Sequence, residues 1–255
     1  MKNKVFVIVG SILIVLSLMM YFFGDILLER LIVNEGINVE STDGLIDDED
    51  IVSNEGLTPD YNEDNVESLS AMTILKYKDD LNKTIPRGRI VIDRIGVNLR
   101  IYEGLNNANL LRGACEQIPR YEMKMGDVGN YVLAAHCSRY NKHFMFSSIR
   151  YLKPGDEIKV SDNENVYVYK VTFVKKVSKE DTSFINEKVD EKLITLYTCD
   201  DVYRFYPRNR IVVRGTLDRV YKRWLIFTIK GSQIAFNGVL YVFWYDYMSK
   251  VKKGS

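Results

Sequence analysis

The sequence predicts a mostly β domain, a barrel or a sandwich, tethered by a membrane-spanning helix at its N-terminus. Three observations carry that prediction. Beyond residue 85 the chain breaks into short β-rich runs separated by turn signals. Residues 5–23 are an apolar stretch without a single charge. The overall charge of +1 is divided along the chain into an acidic stretch and a basic domain.

The first element in chain order is VFVIVGSILIVLSLMMYFF, residues 5–23. Its length comes close to the roughly 20 residues a helix needs to cross a bilayer core. Lys2 and Lys4 precede it, and Asp25 and Glu29 follow it. Residues 1–4 are therefore expected in the cytoplasm and the remainder outside. A cleaved signal peptide would need a shorter apolar region and a small-residue cleavage site, which does not follow Phe23. The expected location is the cell membrane, with the folded domain extracellular.

Residues 31–75 hold twelve acidic residues and no Lys or Arg, a balance of −12. From Lys76 onward there are 32 Lys and Arg against 20 Asp and Glu, a balance of +12. Residues 24–84 read as an extracellular acidic stalk. In it, 26–33 continue the helix, 34–68 form an unpacked spacer, and a short helix is expected over 66–80. The basic residues that follow are interleaved with strand-like apolar ones, with no basic helix and no zinc-finger or RNP-like motif. Nucleic acid is thus excluded as a partner in favour of an anionic surface.

Strands are expected at 89–93, 97–102, 131–135, 157–160, 166–175, 193–199 and 210–217, within a domain spanning 85–217. Turns at KPGD (153–156) and SDNEN (161–165) separate them, with brief helices over 107–112 and 144–151. The run LITLYTCDD ends one of these strands on a cysteine. Alternation sets Thr195, Tyr197 and Cys199 on one face, with the thiol at the strand end.

A free cysteine is ordinarily a small buried hydrophobe, but three features argue for more here. The chain has three cysteines, so they cannot all pair with one another. Its two histidines are His136, which ends the apolar run YVLAA, and His143, in the polar segment SRYNKHF, which reads as a surface residue. An imidazole at a strand end is a common means of activating a thiol. Arg208 and Arg210 open the next strand on one face, where a guanidinium could stabilise an oxyanion.

TLYTC, followed 11 residues after its cysteine by RIVVRG and preceded by YVLAAHC with its histidine 63 residues upstream, resembles the sortase family of cysteine transpeptidases. LLRGA (110–114), GNYVLAAH (129–136) and HFMFSSIRYLKPGDEI (143–158) extend the likeness over about 86–217. Ala135 stands where many members carry Gly. The resemblance implies a closed eight-stranded β-barrel. It implies Cys199 as nucleophile on the Thr–Gly carbonyl of an LPxTG-type sorting signal and His136 as general acid and base. Arg210, with Arg208 as the fallback, would steady the oxyanion and position the peptide. Surface proteins bearing the sorting motif would be substrates, and a peptidoglycan-precursor or pilin amine the acceptor. No cofactor and no metal is required. Some members use calcium, but Glu116, Glu122 and Asp127 do not make a ligand spacing that supports it.

Cys137 is expected to point into the core, and Cys115 is left open. The hydrophobic tail, 218–255, contains WLIFTIKGSQIAFNGVLYVFWYDYM (224–248), interrupted by Lys230. A second membrane segment there and an amphipathic tail are both open. Because no Asp-Pro-aromatic tripeptide precedes the barrel, anchoring to the cell wall is favoured over pilin polymerisation. Two other classes remain in view. A papain-like amidase would place its cysteine early, at a helix N-terminus, and a non-catalytic tethered module would leave Cys199, His136 and Arg210 apart. A metal site from His136, Cys137 and His143 is disfavoured, since neighbours on a strand point apart.

Overall fold

The computed structural model describes residues 2–36, 59–81, 84–138, 141–187, 189–200 and 207–222. The expected second membrane segment at 224–248 lies outside them. Helix α1, Lys2–Gly36, contains Lys4–Gly24, long and apolar enough to cross a membrane and exposed along its length. Two short helices follow: α2, Ala71–Tyr77, and α3, Asn107–Arg112. Each begins where a side chain caps it: Ser70 Oγ accepts from Thr73 N–H at 3.1 Å, and Asn106 Oδ1 from Asn109 N–H at 2.8 Å. The expected helix over 66–80 is therefore shorter at its start, and Lys78–Asp80 continue it as a 3₁₀ turn. The helix expected over 144–151 is reduced to a 3₁₀ turn, Ile149–Tyr151.

Eight strands close a barrel: β1 Pro86–Ile92, β2 Val97–Glu103, β3 Ala114–Glu116, β4 Gly129–Ala134, β5 Glu157–Ser161, β6 Asn165–Ser178, β7 Lys192–Cys199 and β8 Asn209–Lys222. Their order around it is β1-β2-β3-β4-β7-β8-β6-β5. Pairs β2·β3 and β4·β7 are parallel and the rest antiparallel. The β5–β6 hairpin lies between β4 and β7 in sequence, which lets them run parallel as neighbours. Inward-facing Ile90, Ile92, Ile101, Leu133, Ile158, Tyr169, Ile194, Leu196 and Val213 fill the interior. The barrel closes where β1 meets β5; a Cβ on Gly88 would lie 2.2 Å from the Ser161 carbonyl oxygen, so only glycine permits this approach.

The end of the expected spacer is not unpacked. Asp60 O accepts from Leu105 N–H at 2.5 Å, and Tyr61 Oη donates to Glu103 at 3.0 Å. Val66 packs against the apolar cluster on the outer face of β4 and β7. Acidic composition conceals this docking because backbone atoms and two side chains carry most of it.

Glu116, 1% exposed at the end of β3, accepts from Tyr131 Oη at 2.8 Å. Burial pushes its carboxyl up to about 7, against the pull of Arg120 and Tyr131. A carboxyl raised in the fold contributes its stability below the unfolded value of 4.5 and loses it as pH rises through about 7. The difference amounts to about 3 kcal/mol. Glu116→Gln keeps an acceptor for Tyr131 and is expected to raise the melting temperature by several degrees at pH 8 and to leave it nearly unchanged at pH 4.5. Thermal melts at both pH values check this, and equal shifts at both would contradict it.

Candidate active site

Three consecutive strands of the barrel, β4, β7 and β8, build the site. Their inward residues are Tyr131 and Leu133, Ile194 and Leu196, and Ile211 and Val213. The alternate residues, Val132 and Ala134, Tyr197, and Val212, form a second apolar cluster on the outer face. His136, Cys199 and Arg210 continue that outer phase. Cys199 is paired directly with Arg210 across β7 and β8. The parallel β4·β7 register sets Ala134 beside Tyr197. It persists one step further through Ala135 N–H to Tyr197 O, 3.4 Å, and Thr198 Oγ1–H to Ala135 O, 2.7 Å. Extending that register one step more would bring His136, two residues past the end of β4, level with Cys199, which is itself paired with Arg210 on β8.

Burial holds the His136 imidazole down at about 4, so the ring is neutral near pH 7. Its Nε2 is enclosed and has no hydrogen-bond partner among the described residues. A neutral, unengaged nitrogen is the state that accepts a proton. Arg210 is half-buried, and its guanidinium donates to the carbonyls of Pro207 and Asn209, each at 3.3 Å. Arg208 is exposed and precedes β8. The carboxylate of Asp200, next in sequence to the thiol, is held by Arg150 at 2.9 Å and by Lys176. Asp200 therefore pairs away from Arg210.

Further back on the same face, a buried network fixes the β6–β7 connection against the barrel. Asn130 Nδ2 donates to Phe184 O at 2.7 Å, and Thr195 Oγ1 donates to Asn130 Oδ1 at 2.6 Å. Arg214, 8% exposed, donates to Phe184 O at 3.1 Å, pairs with Glu187, and stacks its guanidinium on Phe173 at 5.4 Å. A cleft of about 690 Å³ lies beside it, lined by Gln117, Glu122, Asn130, Ile185, Glu187 and Asp190. Arg214→Met removes donors from a buried carbonyl and is expected to cost about 1–3 kcal/mol. Chemical denaturation measures that loss, and an unchanged midpoint would show that the network carries no stability.

Sequence reasoning did not find Asp200 with its two cations, nor the Asn130–Thr195–Arg214 network, since neither has a motif. His143 is exposed on a turn, as expected of it. Cys115 is completely buried in the outer cluster, and burial pushes its thiol well up. Cys137 is buried, as expected of it, and its thiol donates to the Cys199 carbonyl at 3.0 Å. No cluster of three or more His, Cys, Asp or Glu side chains that could hold a metal occurs among the described residues.

Comparison with known proteins matches residues 90–218 to the family model described as the Sortase domain. The chain is 34% identical over 173 residues to Sortase A of Listeria monocytogenes serovar 1/2a, spanning 68% of this chain and 75% of that protein. It is 37% identical over 137 residues to Sortase A of Bacillus anthracis, 54% of this chain and 62% of that one. Among solved structures, Sortase A of Listeria monocytogenes aligns at 36% identity with a TM-score of 0.49, covering 54% of this chain and 90% of that chain.

Proposed function

Because the chain belongs to the sortase family, whose members are cysteine transpeptidases, we propose that Cys199, His136 and Arg210 carry the transfer of a sorting signal. The pairing of Cys199 with Arg210 across β7 and β8, together with the β4·β7 register that leads to His136, supports this reading. The Cys199 sulfur attacks the carbonyl of the Thr–Gly bond in an LPxTG-type signal, and His136 takes the thiol proton. Arg210 faces the oxygen on which charge develops. His136 then gives its proton to the departing Gly amine, leaving a thioester on Cys199. An incoming amine, deprotonated by His136, attacks the thioester and carries the protein away. A non-catalytic module would have no use for this juxtaposition.

α1 would hold the enzyme in the membrane, Lys2 and Lys4 inside and the barrel outside. Confining enzyme and membrane-held substrate to one surface raises their effective concentration. The test is cleavage of a panel of quenched fluorescent LPxTG-type peptides by the full chain in detergent, with and without diglycine or a cell-wall peptide amine. Amine-stimulated cleavage is expected. No cleavage of any peptide by folded protein would overturn the proposal.

A further inference from the structure

A second thiol stands beside the proposed nucleophile, and the transfer reaction makes no use of it. The sulfur of Cys137 lies 3.0 Å from the backbone oxygen of Cys199. By register, residue 137 falls one step beyond the partner of Cys199, a diagonal of about 6 Å between Cα atoms. That is inside the roughly 4.4–6.8 Å that disulfides bridge. Three backbone and side-chain bonds hold the segment in place. Thr198 Oγ1 donates to Ala135 O at 2.7 Å, Phe146 N–H to His136 O at 3.1 Å, and Ser138 N–H to Ser147 Oγ at 2.8 Å. The two cysteines are thiols in the structure. Cys199 is half-exposed, whereas Cys137 is 7% exposed, so small reagents meet Cys199 first. The third cysteine, Cys115, is fully buried and supplies an internal control.

We propose that Cys137 is a resolving cysteine: under peroxide it closes a reversible disulfide with Cys199, which stores the nucleophile and shields it from irreversible oxidation. The inference rests on Cys199 being the reactive thiol. In the first step the Cys199 thiolate attacks one oxygen of hydrogen peroxide; an S–O bond forms, the O–O bond breaks, and hydroxide leaves. In the second, the Cys137 sulfur attacks the sulfur of the resulting sulfenic acid. The S–S bond forms, the S–O bond breaks, and the departing hydroxyl takes the Cys137 proton as water. Two thiols and one peroxide thus become one disulfide and two waters. A small-molecule dithiol reverses it.

The contact between the two thiols, followed by burial, holds Cys137 protonated well above the ordinary thiol range. It therefore stays a thiol while Cys199 does chemistry, and becomes the attacking group only once Cys199 is electrophilic. Arg150, whose charge pulls the other way on Cys137, favours the negative charge that builds there as it attacks.

The test is intact-mass and peptide-mass analysis of the full chain in detergent after a small molar excess of hydrogen peroxide, with and without dithiothreitol. The expected product is lighter by two hydrogens, with the segments holding Cys137 and Cys199 linked, Cys115 still a thiol, and both thiols regained in dithiothreitol. Cys137→Ser and Cys137→Ala are each expected to carry Cys199 on to the sulfinic acid, two oxygens heavier and not recovered by dithiothreitol. Circular dichroism confirms that at least one variant is folded. Wild-type protein that gains two oxygens at Cys199 with no linked peptide would overturn the proposal. So would a disulfide that involves Cys115. None of these readouts needs turnover. Loss of peptide cleavage on oxidation and its return on reduction are followed in parallel, so an enzyme that never cleaves counts against the proposed function alone.

Discussion

Cys199→Ala is expected to abolish peptide cleavage, lowering the rate by at least about 10⁴-fold, while leaving the melting temperature close to that of the parent. The two halves follow from different parts of the structure. Cys199 ends β7 on the outer face and is half-exposed, so its side chain fills no interior space. The barrel interior beside it is made by Leu196, Ile211 and Val213, which the substitution does not touch. Without sulfur no thioester can form, and His136 and Arg210 alone have no covalent route. Fluorescent peptide cleavage and a thermal melt on the same preparation decide the matter. A variant that keeps a tenth of the activity would make another residue the nucleophile.

The second large effect separates two arginines that the sequence leaves side by side. Arg210→Ala is expected to lower kcat/KM by about 10²–10³-fold, the usual cost of one oxyanion donor. Arg208→Ala is expected to stay within about threefold, as surface substitutions do. Arg210 is the cross-strand partner of Cys199. Arg208 is exposed, one residue before β8 begins. Arg210→Lys should recover part of the activity, because charge is kept while the planar fork is lost. Steady-state kinetics of the three variants with one peptide checks this. A larger loss at Arg208 than at Arg210 would reverse the assignment.

The site was legible because its residues terminate or open strands whose alternation can be counted. YVLAAH, TLYTC and RIVV each carry an inward apolar phase that fixes the direction of the polar or thiol residue beside it. What alternation could not show lies where strand geometry stops or is too short. Ala114–Glu116 is a three-residue strand buried at every position, so it has no period, and only seven of the eight strands could be counted from the residues. Cys137 lies beyond the end of β4, and its position depends on bonds from Ser147, Phe146 and Thr198 to the segment around it. β6 and β8 run to Ser178 and Lys222, past their expected ends at 175 and 217, because in this antiparallel pair the end of each strand bonds to the start of the other, Ser178 opposite Asn209 and Lys222 opposite Asn165. Lys176 lies just past its strand's expected end, and Arg219 falls in what the sequence reads as the C-terminal tail. Pro59 to Ser68 was hidden by its charge, although Asp60 contributes its backbone carbonyl to the barrel.

The pH response of the site offers a further check. Burial holds His136 near 4, below its unfolded value of 6.5, so its contribution to stability is full above about 6.5 and is lost as pH falls toward 4. His136→Gln is expected to reduce the loss of stability between pH 6.5 and 4, measured by denaturant titration, and also to abolish cleavage at neutral pH. An unchanged stability profile would mean that the ring is solvated and already charged in the folded protein.

The most direct measurement is mass analysis of the full chain after incubation with an LPxTG-type peptide in the absence of any added amine. A peptide fragment ending in Thr, joined as a thioester to Cys199 and discharged on adding diglycine, is the predicted result. Cleavage without such an adduct, or an adduct mapped to Cys115 or Cys137, would contradict the assignment of Cys199 as the transferring thiol.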